Sequence, residues 1–123
     1  VAAYDPKDSV GILDRYFPDC QFFTDFERFE SYIESQKIDY VSICSPNHMH
    51  SSHIKFALRN GAHAICEKPL VLHESDIDEL SAYEKKYDRK VFTVLQLRVH
   101  EAILNLKSKV DKENKAHHKV DLT

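Results

Sequence analysis

Short apolar runs alternating with amphipathic stretches constrain this chain more than any other feature. Val1–Tyr4, Gln21–Thr24, Asp39–Cys44, His63–Cys66 and Lys90–Leu95 are each too short for a stable helix. β-Branched residues such as Val41 and Ile43 favour extended backbone there. Between and after these runs, apolar residues recur at helical spacing. Helices are expected over Ser9–Tyr16, Asp25–Gln36, His48–Asn60, Ser75–Tyr87 and Val99–Lys115. Their buried faces are expected to carry Phe26, Phe29 and Ile33, then Ile54, Ala57 and Leu58, then Ile77, Leu80, Tyr83 and Tyr87, and finally Val99, Ile103, Leu106 and Val110. Asp8 or Ser9 can cap the first helix. Thr24 or Asp25 can cap the second, with Glu27 placed to complete a capping box on Thr24. Gly61 suits a left-handed stop after the third. Strands joined by helices run parallel, and a parallel sheet is normally covered on both faces. The expected class is α/β, a doubly wound parallel sheet.

Parallel order has a functional consequence. In open α/β sheets, ligands bind beyond the carboxyl ends of the strands. Asp5, Ser45-Pro46-Asn47, Glu67-Lys68-Pro69 and Gln96-Leu97-Arg98 each follow an expected strand directly. Four polar clusters should therefore share one edge of the sheet and form a site.

Composition narrows the ligand. The formal net charge is −3, which offers no electrostatic footprint for nucleic acid. The basic run Leu106–Lys119 also contains Asp111 and Glu113, as a solvated helix face does. No run reaches the roughly 18 apolar residues of a membrane span. The opening "VAAYDP" is not a basic-then-apolar leader, and Cys20, Cys44 and Cys66 form no CxxC pair. Reduced thiols and a cytoplasmic location are expected. In "HMHSSH", His50 and His53 could share a helix face with His48 nearby, but a zinc site needs three or four convergent ligands. No metal is expected.

The stretches "DYVSICSPNHMH", "ALRNGAHAICEKPL" and "VFTVLQLRVH" together resemble the Gfo/Idh/MocA oxidoreductase family. "YDPKDSVGILDRYFPDCQFFTDFERF", "NGAHAICEKPLVL" and "LQLRVHEAILNLKSKV" resemble more closely its UDP-N-acetylglucosaminuronate 3-dehydrogenases, the WbpB/WlbA type. The resemblance covers essentially the whole chain. It implies an NAD(P)-binding Rossmann domain followed by an α/β substrate domain. It implies NAD as cofactor, a UDP-sugar as substrate and a homotetramer when intact. The implied reaction oxidises the C3 hydroxyl of UDP-N-acetylglucosaminuronate for bacterial surface polysaccharide. Other readings stay open: another sugar or inositol dehydrogenase, an NADPH-dependent reductase, or a non-catalytic binding module.

Residue roles follow from the resemblance joined to chemistry. Asp5 is expected to accept hydrogen bonds from ribose hydroxyls and to repel a 2′-phosphate, unless it only closes an Asp-Pro turn. Ser45, Pro46, Asn47 and His50 are expected beside the cofactor, although Asn47 is equally a helix cap. Glu67 and Gln96 are further cofactor contacts. Lys68 is the expected catalytic residue and also binds substrate. Placed at the hydroxyl, an amine can relay its proton and stabilise the alkoxide, best where desolvation lowers its basicity. The plain alternative is a solvated Glu-Lys pair. The resemblance also implies a cis Lys68–Pro69 bond. Arg98 suits a substrate phosphate or carboxylate, or else a salt bridge at a helix start. His100-Glu101 stands where the subgroup more often has His-Pro, leaving the start of the last helix open.

The resemblance further implies truncation at both ends. The family's first strand and Gly-rich turn are expected before Val1, since Gly11 and Gly61 are the only glycines. Residues 1–116 are expected to be a partial NAD-binding domain. Residues 117–123 are expected to begin the substrate domain, with the family's catalytic histidine beyond Thr123. The missing strand is central in the order 3-2-1-4-5-6, so these residues alone are expected to be molten or aggregation-prone.

Overall fold

The computed structural model describes residues 1–8 and 11–113. It contains β1 (Ala2–Tyr4), α1 (Gly11–Tyr16), β2 (Gln21–Phe23), α2 (Phe26–Glu34), β3 (Tyr40–Ile43), α3 (His50–Arg59), β4 (His63–Cys66), α4 (Ser75–Tyr87), β5 (Val91–Thr93) and α5 (Glu101–Glu113). Short 3-10 turns at Asn47–Met49 and Gln96–Val99 precede α3 and α5. Every strand pairing is parallel, and helices alternate with strands, so the α/β class holds. The expected boundary after residue 116, the substrate-domain start at residues 117–123 and the cap Ser9 lie outside the described residues.

The strands form two sheets rather than one. β1 pairs with β2, setting Tyr4 opposite Phe23. β3, β4 and β5 pair in that order, setting Ile43 opposite Cys66 and Cys66 opposite Thr93. Among the described residues no ladder joins β1 to β3. Side chains join them instead. Phe26 and Phe29 of α2 pack on Tyr4 at ring separations of 5.2 and 5.9 Å, and on Phe56 of α3 at 5.4 and 6.0 Å. Phe56 is 3% exposed, so its ring is committed to this contact. α3 also lies on the larger sheet, where Ile54, Ala57 and Leu58 pack with Ile43, Ala64, Cys66 and Leu80. Fully burying Ile54 and Leu58 contributes about 1.5–3 kcal/mol each.

Local chemistry sets the helix ends. Asp25, not Thr24, caps α2: its Oδ1 accepts the Arg28 N–H at 2.9 Å. α3 stops at Gly61, whose φ of +74° is the left-handed turn an unbranched backbone allows. The Gly61 N–H donates to Leu58 O and the Ala62 N–H to Ala57 O, the paired bonds of a Schellman motif. α5 begins later than its periodicity implies. His100 is extended, and its Nδ1 accepts the Ala102 N–H at 3.2 Å, so the histidine itself starts the helix.

Three burial expectations are corrected. Ile77 is 51% exposed, because α4 turns only Leu80 fully into the core. Val99 is 76% exposed, because it sits in the 3-10 turn and not on the α5 face. The larger sheet is covered on one face by α3 and α4, whereas Tyr40, His63 and Phe92 form an aromatic row on the other. Tyr40 and Phe92 are exposed among the described residues.

Replacing Phe56 with alanine in the intact protein should cost about 3–5 kcal/mol, read as a drop in urea midpoint. A change within about 0.5 kcal/mol, the range of an inert surface site, would show that the ring does not hold the sheets together.

Candidate active site

The carboxyl ends of β3, β4 and β5 are in register, so the turns that follow them lie side by side. Backbone bonds continue the ladder into these turns: the Glu67 N–H donates to Ile43 O and the Val94 N–H to Cys66 O, both at 2.9 Å. Asp5 leaves the other sheet, yet a chain of contacts ties its end to the same edge. Tyr4 packs on Phe26, Phe26 stacks on His53 at 5.5 Å, and His53 Nδ1 shares a 2.9 Å hydrogen bond with Ser45 Oγ. The end of β1 is thereby tied to the Ser45 turn, which lies beside the turns after β4 and β5.

Within the edge, the residues divide into those that build turns and those that face outward. Asp5 Oδ1 accepts the Lys7 N–H at 2.7 Å, so its carboxylate closes the Asp-Pro turn while its second oxygen stays exposed. Pro46 starts the 3-10 turn, and Met49 N–H donates to its carbonyl at 2.8 Å. Neither that turn nor α3 has a side-chain cap, so Asn47 does not serve as one. Its amide remains available on the exposed surface.

Glu67 does not pair with the ammonium of Lys68. Its carboxylate accepts from the Gln96 amide at 3.1 and 3.4 Å and from the Lys68 backbone N–H at 3.2 Å. Glu67 and Gln96 thus lace the β4 turn to the β5 turn. Lys68 is exposed, its bond to Pro69 is cis, and among the described residues no carboxylate lies within ion-pair distance of it. The desolvation that would suit a catalytic amine is not supplied by these residues. Arg98 is likewise exposed, in the 3-10 turn before α5, and forms no ion pair among the described residues.

The histidines do not converge. His48 is exposed, His53 turns to Ser45, and His50 is 0% exposed. His50 lies beneath the edge, with Nδ1 2.7 Å from Pro69 O and Nε2 2.9 Å from Ser45 O. His50, expected beside the cofactor, thus bonds to the two turns of that edge. Among the described residues no three His, Cys, Asp or Glu side chains gather as a metal site. Burial, and secondarily His50, holds His53 below its ordinary value of 6.5. Burial, then Cys44 and Glu67, pushes the Cys66 thiol up to about 11, leaving it un-ionised at neutral pH.

The arrangement can present hydrogen-bond donors and acceptors to an extended ligand along the sheet edge, with one amine and one guanidinium at its β4 and β5 end. Residues 4–95 match the family model described as Gfo/Idh/MocA, oxidoreductase family, NAD-binding Rossmann fold. The chain belongs to the Gfo/Idh/MocA oxidoreductase family. It is similar to the WlbA (WbpB) dehydrogenase of Thermus thermophilus, solved with NAD and α-ketoglutarate and with NAD and UDP-GlcNAcA. That likeness has a TM-score of 0.90 and 47% identity, covering 94% of this chain and 39% of the solved one. The chain is also 33% identical over 79 residues to a myo-inositol 2-dehydrogenase of Thermotoga maritima, covering 64% of this chain and 24% of that protein. A 2,7-anhydro-N-acetylneuraminate hydratase of Mediterraneibacter gnavus is 30% identical over 80 residues, 65% of this chain and 20% of its own length. The chain thus spans about a fifth to two fifths of these relatives, whose named activities differ.

Sequence spacing found the four clusters but missed the ties between them. Nothing in the sequence signals that Glu67 meets Gln96, 29 residues away. The His53–Ser45 bond carries a weak signal, since both flank one strand-to-helix turn.

His53 makes the stability depend on pH. Its folded value is lowered, so below about 6.5 the unfolded chain takes up a proton that the folded chain resists. His53's contribution is full above that pH and declines below it, until the lowered folded value is passed. Between pH 7 and pH 5 the thermal midpoint of the wild type should fall further than that of His53→Asn. Parallel pH profiles would show that the ring is not held neutral by its setting.

Proposed function

We propose that the intact protein is an NAD-dependent sugar-nucleotide dehydrogenase that oxidises the C3 hydroxyl of UDP-N-acetylglucosaminuronate to a 3-keto sugar. One observation carries this reading: 47% identity across 94% of the chain to a dehydrogenase solved with NAD and UDP-GlcNAcA. Residues 1–116 are read as part of the NAD-binding domain and 117–123 as the start of a substrate domain. A cytoplasmic homotetramer acting in surface-polysaccharide assembly belongs to the same proposal.

The residues present fit one part of NAD better than another. Asp5, with one carboxylate oxygen engaged and one exposed, suits a ribose diol and disfavours a 2′-phosphate. Asn47 and Gln96 offer amides along the same edge. These residues contain no glycine-rich turn for the pyrophosphate, since Gly61 ends a helix and Gly11 lies in α1. Bound there, NAD supplies the acceptor for the hydride lost from the sugar carbon. Lys68 holds the hydroxyl by its amine and relays the proton as the carbonyl forms. Arg98 pairs with a phosphate or carboxylate of the substrate. Water must be excluded from Lys68 by parts of the protein outside residues 1–113.

Lys68→Ala in the intact enzyme should lower kcat by about 100- to 10,000-fold, the range for a lost acid-base group. Turnover would be followed as reduced nicotinamide absorbance with UDP-N-acetylglucosaminuronate. Near wild-type turnover removes Lys68 from the reaction. Oxidation of myo-inositol in preference to the UDP-sugar replaces the substrate assignment.

A further inference from the structure

His50 is fully buried and stands between two oxygens that can only accept. Pro69 O lies 2.7 Å from Nδ1 and Ser45 O lies 2.9 Å from Nε2. A neutral imidazole has one N–H and one bare nitrogen, so it can donate to one carbonyl only. The other contact would then set a lone pair against a lone pair. A ring with hydrogen on both nitrogens donates to both oxygens, and both distances fall in the range of charge-assisted bonds. The carbonyls belong to the two turns that matter most: Ser45 opens the Ser45–Asn47 turn, and Pro69 follows Lys68.

We propose that His50 is a positioning residue, a doubly protonated clamp that fixes the Lys68–Pro69 turn against the Ser45–Asn47 turn. A buried charge needs such compensation, and here two carbonyl dipoles provide it. The titratable groups of the elements and turns it touches are His53, Lys55 and Arg59 on α3, His48 in the preceding 3-10 turn, Cys44 at the β3 end, and Cys66, Glu67 and Lys68 at the β4 end. His53 is held neutral and brings no competing charge. Cys66 keeps its proton. Glu67 is engaged by Gln96 and Lys68 N–H. The clamp acts through main-chain oxygens, so it sets where Lys68 sits without touching a ligand. Its catalytic effect rests on the dehydrogenase reading; its protonation does not.

The test uses the full-length protein labelled with 15N-histidine, in three forms: wild type, His50→Gln and His50→Phe. Long-range proton–nitrogen spectra at pH 7 should show both ring nitrogens of His50 bearing hydrogen, identified by the signals lost in His50→Gln. A bare nitrogen in that pair overturns the double protonation. His50→Phe keeps the ring and removes both donors, and should lower kcat by about 100-fold while KM for the sugar changes far less. His50→Gln restores one donor and should recover part of that loss, which also covers a His50→Phe chain that fails to fold. Wild-type kcat in either folded variant overturns the positioning role. A wild type without dehydrogenase activity refutes the dehydrogenase reading, and the nitrogen spectra still decide the clamp.

Discussion

The aromatic contact between Phe26, Phe29 and Phe56 is the constraint on which the rest depends. Among the described residues no backbone ladder joins the two parallel sheets, and side chains make the contact between them. Packing of α2 on β1 and of α3 on β3 and β4 makes each helix the cover of its own sheet, and the phenyl rings join the two covers. Stacking of Phe26 on His53 extends this join to the ligand edge. Through that stack the Ser45 turn is tied to the α2 face on which Tyr4, the neighbour of Asp5, packs.

Much of the fold was legible because burial and periodicity agree. Val41 and Ile43, or Ile54, Ala57 and Leu58, leave one answer for local structure and one for which side faces inward. Gly61 announced its turn because only the helix end needs its backbone freedom there. Legibility failed where two local signals compete. Thr24 and Asp25 are both good caps, and the longer, charged side chain reached the free N–H. Val99 continues the spacing of Ile103 and Leu106, but the extended backbone of His100 intervenes and breaks the helix. Ile77 fits the α4 pattern, yet the helix meets α3 along a narrow strip and leaves it outside.

At the site, sequence located residues and the structure assigned them work. Ser45, Pro46, Asn47, Glu67, Lys68 and Gln96 were visible as strand-end clusters because parallel strands place their ends together. Their mutual bonds were invisible, since hydrogen bonds between turns have no period. His50 shows the difference best. A histidine near a ligand edge reads as a ligand contact, whereas total burial makes it part of the frame.

The partners of that buried ring are main-chain oxygens, and any residue carries a main-chain oxygen. Position 45 can change its side chain without removing the carbonyl that the ring binds. Position 50 has no such latitude, because no other side chain spans the same gap with a nitrogen at each end. The frame is thereby decoupled from the surface it supports, and one fold can serve reactions as unlike as dehydrogenation and hydration.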